Sequence, residues 1–300
     1  MNIALCTDEN FVIPCLTCIT SILEHNRNEV CGIYVLTEGI TETSSNKFCR
    51  LSAIYNTPIH VVTIDVNEYK SLKVVEPFPM SMYFRFSLPE ILKTEEKALY
   101  LDCDIIIRHS IKDMYDTDLT DKACGVIIDQ HCDDPVSYSR TGTKCDYFNS
   151  GVLLMNLDYW RKYNIARQLT DYIAENPDKC VYPDQDALNV ILEDKVVYLS
   201  PTYNYQHFWT TDVSWSKMSK ARLDEVLRFQ KDPVIVHFSH KDKPWHSNCR
   251  NIYRSEFDKY NSLHPFIGRK LHHPKLKRLF YRAFNRLGIE FFRIRDGFRS

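Results

Sequence analysis

The stretch "KALYLDCDIII", residues 97–107, decides how this chain is read. Ala98 to Leu101 and Ile105 to Ile107 are strong β-formers with no Gly or Pro among them, which predicts a central strand. In an extended chain, residues two apart share a side, so Asp102 and Asp104 would project together while Cys103 faces the other way. Two like charges held that close repel unless something positive lies between them, and a divalent cation bound by carboxylate oxygens answers that need. Two further Asp-x-Asp pairs occur, Asp116/Asp118 and Asp184/Asp186, but only the first follows a long apolar strand.

Outward from that strand the N-terminal half alternates. Strand "NIALCT", a helix from about Pro14 to His25, strand "CGIYVLT", helix "SNKFCRLSAIY", strand "IHVVTID" and a helix around "FRFSLPEIL" precede it. Such βαβα order implies an α/β fold with a mainly parallel twisted sheet flanked by helices, whose ligands bind beyond the carboxyl ends of the strands. Asp8 follows the first strand, Asp102 and Asp104 end the fourth, and Asp129 ends "CGVIID", so all fall on that edge. Polar residues from there to Asp146 read as a mobile flap. "YFNSGVLLMNLDYWRKYNI" then gives a strand feeding a helix, "PDQDALNVIL" a helix with Asp184 at its start, and "PVIVHFS" a short strand ending at His237. There is no glycine-rich phosphate loop, so a nucleotide bound here needs another source of positive charge.

Three hundred residues, 44% hydrophobic and 13% aromatic, can bury a large core. The apolar run at the start is broken by Asp8 and Glu9, and no apolar stretch approaches the ~18 residues of a membrane span, so a cytoplasmic protein is expected. Eleven cysteines without framework spacing suit reduced thiols. Cys15 and Cys18 form a Cys-x-x-Cys, but no second pair supplies further ligands, and both read as small apolar helix residues. The net charge of −1 conceals an asymmetry: residues 267–300 hold ten Lys/Arg against Glu290 and Asp296, net +8, leaving −9 on the preceding residues. Leu276, Leu279, Phe280, Phe284, Leu287, Phe291 and Phe292 recur there at spacings near three and four, the pattern of a basic amphipathic helix suited to an anionic membrane surface. That stripe is larger than phosphate tracking needs, and nucleic acid is not expected as a partner.

Asp102 and Asp104, completed by His237, make a donor set for Mn²⁺ or Mg²⁺ more than for structural zinc. Lys243 in "HKDKPWH" and Arg85 would share the charge on a departing diphosphate. Read alone, Asp129 is a solvated strand-end acid, Asn149 a turn residue, Arg85 an exposed helix residue and Lys243 a loop charge.

Taken together and in order, "MNIALCTDENF", "YFRFSLPE", "ALYLDCDIII", "YFNSGVLLMNL", "YPDQDALN" and "VHFSHKDKPWH" resemble the retaining glycosyltransferases of family eight, which include bacterial lipopolysaccharide galactosyl- and glucosyltransferases and glycogenin. The resemblance covers residues 1 to about 260. It implies a GT-A type catalytic domain over residues 1–266, with residues 267–300 as a membrane-associating segment on the cytoplasmic face. It also implies transfer of glucose or galactose from UDP-glucose or UDP-galactose to a glycan acceptor, as in lipopolysaccharide synthesis. By the same resemblance Thr7, Asp8, Asn10 and Phe11 hold the uridine, Asp102, Asp104 and His237 bind Mn²⁺, and Lys243 meets the diphosphate. Arg85, Cys103, Asn149, Ser150, Asp129, Asp184 and Gln185 line the rest of the donor. His240 stands where the family commonly has Gly, which puts the backbone contact expected there in doubt.

Retention by double displacement needs a carboxylate on the far face of the sugar, and the resemblance puts Gln185 there, an amide and a poor nucleophile. Front-face attack is the expected route, with Gln185 and Asp184 stabilising an oxocarbenium-like centre and Asp186 the alternative nucleophile. Two other classes stay open: a noncatalytic UDP-sugar sensor, and a glycosidase, whose carboxyl spacing of ~5 to 9.5 Å neighbours two apart on a strand reach only at its lower end.

Overall fold

The computed structural model describes residues 1–72, 79–144, 146–210, 217–241, 243–246 and 249–266. The basic segment 267–300 lies outside the described residues, as does the membrane role expected of it. Seven strands form one sheet: β1 (Asn2–Cys6), β2 (Gly32–Thr37), β3 (Ile59–Thr63), β4 (Lys97–Leu101), β6 (Cys124–Ile128), β7 (Phe148–Asn156) and β8 (Val196–Tyr198), in the spatial order β3-β2-β1-β4-β7-β6-β8. A second sheet joins β5 (Ile105–Ile107), β10 (Ile235–His237) and β9 (Tyr205–Gln206), in the order β5-β10-β9.

The large sheet is mostly parallel, as the alternation predicts, with β7 the exception: it pairs antiparallel with both β4 and β6. This reversal has a functional consequence. The carboxyl ends of β1, β4 and β6 and the first residues of β7 meet along one edge, so Asn149, Ser150 and Gly151 face Asp8, Asp102 and Asp129 across it. Successive residues of each buried strand feed opposite cores: Ala4 and Tyr100 enter one, Ile3, Leu5, Leu99 and Leu101 the other. A third cluster, with Ile106, Val236, Tyr205 and Phe238, fills the space behind the small sheet.

The helix Val12–Asn26 is buried on nearly every side, so its polar residues are satisfied locally. Thr17, Thr20 and Ser21 donate to Ile13, Leu16 and Cys18 carbonyls at 2.9, 2.8 and 2.7 Å. Cys15 and Cys18 are buried free thiols, as are most of the cysteines among the described residues. Among the described residues, no helix is long and apolar enough to cross a membrane.

Two expectations change. The segment 97–107 is not one strand: it leaves β4 at Leu101, turns through Asp102–Asp104 and enters the other sheet as β5. Residues apolar on both sides of the turn gave no warning of it, because each half is a fully buried strand in its own sheet. The segment around "FRFSLPEIL" is a 3-10 helix, Met80–Ser87, running into a four-residue α-helix, Leu88–Ile91. Pro79 precedes it and Pro89 lies in its second part, and Ser81 to Phe86 are all buried, so Arg85 is an interior residue and not an exposed one.

Candidate active site and metal centre

The turn between the sheets does what the strand was expected to do. Asp102, Asp104 and His237 each offer a ligand atom, all lying within 4.8 Å of one another. His237 Nε2 is 3.3 Å from Asp104 Oδ1 and 3.8 Å from Asp102 Oδ2. Gly151 makes the space, since a Cβ there would strike His237 Cε1 and the Asp102 carboxylate. Cys103 points the opposite way, donating its thiol to Cys6 O at 3.1 Å.

Each acid has a fixed partner besides. Asp102 Oδ1 accepts from Tyr100 OH at 2.7 Å and Arg85 Nη2 at 3.2 Å. Asp104 Oδ2 accepts from Lys243 Nζ, which also donates to Phe238 O at 2.8 Å. Burial alone would push the Asp104 carboxyl up, but Lys243 and His237 beside it outweigh burial and hold it well below the ordinary range. Two carboxylates, an imidazole and room left by a missing side chain fit a hard divalent cation.

Arg85 is the pivot between this centre and the next. It is 3% exposed, its guanidinium lies 4.1 Å over the Tyr100 ring, and it donates to Met82 O at 2.8 Å and Ser150 O at 2.5 Å. Its Nη1 also lies 3.2 Å from Asp184 Oδ2. Burial raises the pKa of Asp184 against the lowering effect of Arg85. Next to it on the helix Pro183–Ile191, Gln185 accepts at Oε1 from Asn149 Nδ2 and Ser150 N, at 3.1 and 3.0 Å. Asp129 Oδ2 accepts from the same Asn149 amide at 3.1 Å.

Asp186 faces elsewhere. It is 1% exposed, and its two oxygens accept from Arg140 Nη2 and Tyr147 OH at 2.6 Å and from Val181 N and Tyr182 N at 2.8 Å. Arg140 belongs to a helix, Pro135–Thr141, inside the segment read as a flap, so that segment is tied to the site.

At the N-terminal side, Asp8 caps the 3-10 turn Glu9–Phe11, accepting from Asn10 N at 2.8 Å and Phe11 N at 3.0 Å. Thr7 donates to Asp8 O at 3.1 Å, and Phe11 meets the Trp245 ring edge-on at 5.6 Å. His240 stacks on His207, ring centres 4.8 Å apart. Asp116 and Asp118 lie in an exposed turn, Asp118 accepting from Thr120, with no part in the centre. Sequence reasoning missed Tyr100, Arg140, Tyr147 and Asn204. Tyr100 was within reach, being the residue two before Asp102 and on its side of the strand; the other three carry no local signal.

Comparison with known proteins gives the family and the fold. Residues 2–249 match Glycosyl transferase family 8. The chain is 28% identical over 267 residues to general stress protein A of Bacillus subtilis, covering 87% of this chain and 93% of that one. It is 27% identical to the lipopolysaccharide 1,3-galactosyltransferase of Salmonella typhimurium, covering 82% of this chain and 73% of that one. Among solved structures, the galactosyltransferase LgtC, in complex with donor and acceptor sugar analogs, superposes with a TM-score of 0.80 at 23% identity, covering 90% of this chain and 98% of that one.

Proposed function

The chain belongs to glycosyl transferase family 8, and on that premise we propose that it moves a hexose, glucose or galactose, from a UDP-sugar to a cell-surface glycan with retention at the anomeric carbon. The observation that carries the reading is the meeting of Asp102, Asp104 and His237 beside Lys243 on the edge that also holds Asp8, Arg85 and Gln185. Kinship with a lipopolysaccharide galactosyltransferase supports the acceptor class.

Asp102, Asp104 and His237 would hold Mn²⁺ or Mg²⁺, which when bound supplies Lewis-acid stabilisation to the diphosphate. Thr7, which is buried, Asp8 and Phe11, which are half-buried, and the exposed Asn10 bind the nucleoside. Lys243, already placed between Asp104 and Phe238 O, takes up phosphate charge. Cys103 keeps the turn seated through its thiol, which donates to Cys6 O, Ser150 and Asn149 set Gln185, and His240 borders the diphosphate.

In the front-face route the acceptor hydroxyl oxygen bonds to the anomeric carbon as the bond to the β-phosphate breaks, and the leaving phosphate takes the hydroxyl proton. Gln185 orients the sugar and does not attack, because its carbonyl is already an acceptor for two N–H groups. Asp184 and Asp129 supply negative charge near the developing cation, while Asp186, saturated by Arg140, Tyr147 and two backbone N–H groups, holds the wall of the site. Residues 267–300 place the enzyme on the anionic cytoplasmic leaflet; vesicle flotation that survives truncation after Phe266 would refute that role.

The test is UDP release from a panel of UDP-sugars without acceptor, with and without Mn²⁺, using Asp104→Asn as control. Slow release that needs Mn²⁺, favours one hexose and vanishes in the variant is expected. Turnover indifferent to metal and to the variant would overturn the site, and UDP-sugar binding that never leads to release under any acceptor would favour a sensor.

A further inference from the structure

The groups that would face the donor are linked by a buried relay of amides whose polarity is set by the backbone of β7. The β6–β7 ladder is irregular between Gly125 and Ile127, and there the N–H groups of Ser150 and Gly151 turn to side chains. Ser150 N donates to Gln185 Oε1 and Gly151 N to Asn149 Oδ1, each at 3.0 Å. A backbone N–H can only donate, so both contacts decide which end of each amide is oxygen.

The rest follows by elimination. With Oδ1 of Asn149 fixed, its Nδ2 donates to Gln185 Oε1 and Asp129 Oδ2, each at 3.1 Å. Asn204, 0% exposed, lies 2.9 Å from the same Asn149 Oδ1 and must present Nδ2 to it. Its own Oδ1 therefore faces His237 Nδ1, 3.0 Å away, and can only accept. The proton of the neutral imidazole is thereby placed on Nδ1, which leaves the Nε2 lone pair toward Asp104 and Asp102.

We propose that Asn204 is a positioning residue: it holds His237 in the tautomer that can bind a metal, and through Asn149 it ties that ring to Gln185. Asn204 reaches the donor only through Asn149 and His237. The inference rests on Asp102, Asp104 and His237 being a metal centre, so its test separates the two.

The measurements are nitrogen-15 NMR of His237, loss of the free Mn²⁺ electron paramagnetic resonance signal on titration, and the split of KM and kcat for UDP-sugar turnover, all on full-length protein with thermal melts as a check. With diamagnetic Mg²⁺ in place of Mn²⁺ at the centre, wild type is expected to show a protonated Nδ1 and an Nε2 that carries no proton. Asn204→Ala should mix the tautomers and weaken Mn²⁺ binding about 10- to 100-fold, the usual effect of removing a group that orients a metal ligand. Asn204→Asp is the isosteric control. It keeps an acceptor for His237 but sets an oxygen against Asn149 Oδ1, so Mn²⁺ binding should stay within about threefold while kcat drops about tenfold or more.

An alanine variant that melts like wild type and keeps both the tautomer and the Mn²⁺ affinity would overturn the proposal. If alanine does not fold, an aspartate variant with unchanged kcat overturns it instead. Wild-type protein that binds no Mn²⁺ but shows the Nδ1 proton would sink the metal centre and leave Asn204 a structural clamp, refuting the positioning role as well.

Discussion

Gly151 is the residue on which the centre turns. Its missing side chain is what lets His237 and Asp102 approach each other, and the collision a Cβ would meet involves a packed imidazole and a carboxylate, neither a flexible tip. Gly151→Ala should therefore displace one ligand and reduce Mn²⁺ affinity by about tenfold or more, with a stability loss of about 1–3 kcal/mol from overpacking. Calorimetric Mn²⁺ titration alongside denaturant melts checks both. Asp184 gives a contrasting case. Its carboxyl is raised by burial, so ionising it costs stability as pH rises past the ordinary carboxylate value. Asp184→Asn removes that cost, and equilibrium unfolding should find the variant no less stable at pH 7, while donor turnover falls. A wild-type turnover rate would remove Asp184 from the sugar-facing set.

Elements carry the next layer. The helix Pro135–Thr141 is anchored to the start of the helix Pro183–Ile191 by Arg140, whose guanidinium donates twice to Asp186, at 2.6 and 3.2 Å. Arg140→Ala leaves Asp186 its tyrosine and two backbone donors, so a loss of about 2 kcal/mol is expected, on the scale of charged hydrogen bonds. The larger effect should be on kcat, measured in steady-state turnover, because Arg140 braces the helix start that carries Asp184 and Gln185. At the opposite side, the helix Arg254–Leu263 is held against the helix Val12–Asn26 by Thr17, which bonds Asn261 at 3.1 Å and lies 3.2 Å from His264 Nε2. Burial lowers His264 from 6.5 to about 4. The unfolded chain thus binds a proton there more readily than the folded one between those values, and its stability contribution, complete above pH 6.5, is lost as pH falls toward 4. Up to about 3 kcal/mol is at stake. Urea melts at pH 7 and pH 4.5 should show that slope in wild type and a flatter one in His264→Gln.

At the scale of the whole molecule, the alternation of strands and helices was legible, because each buried strand of the N-terminal half is a run of β-formers, Pro14 lies in the first turn of the first long helix and Thr41 caps the next. The pairing of Asp102 with Asp104 and His237 was legible too. What sequence could not convey was the change of sheet at Asp102, since an unbroken apolar pattern fits one strand or two equally well. Nor could it convey that β7 runs backwards, which is what brings Asn149, Ser150 and Gly151 to the active edge. Arg85 was named among the donor residues by resemblance, yet its burial depends on a 3-10 helix that local periodicity does not distinguish from an α-helix. Asn204 is a polar residue just before the two-residue β9, and only the folded chain gives it the two neighbours, Asn149 and His237, that fix its amide. The most direct measurement of the central claim is calorimetric titration of UDP into the protein with and without Mn²⁺, repeated with Asp104→Asn. Mn²⁺ should tighten UDP binding about tenfold or more in wild type and leave it unchanged in the variant. Equal UDP affinity in all four titrations would contradict it.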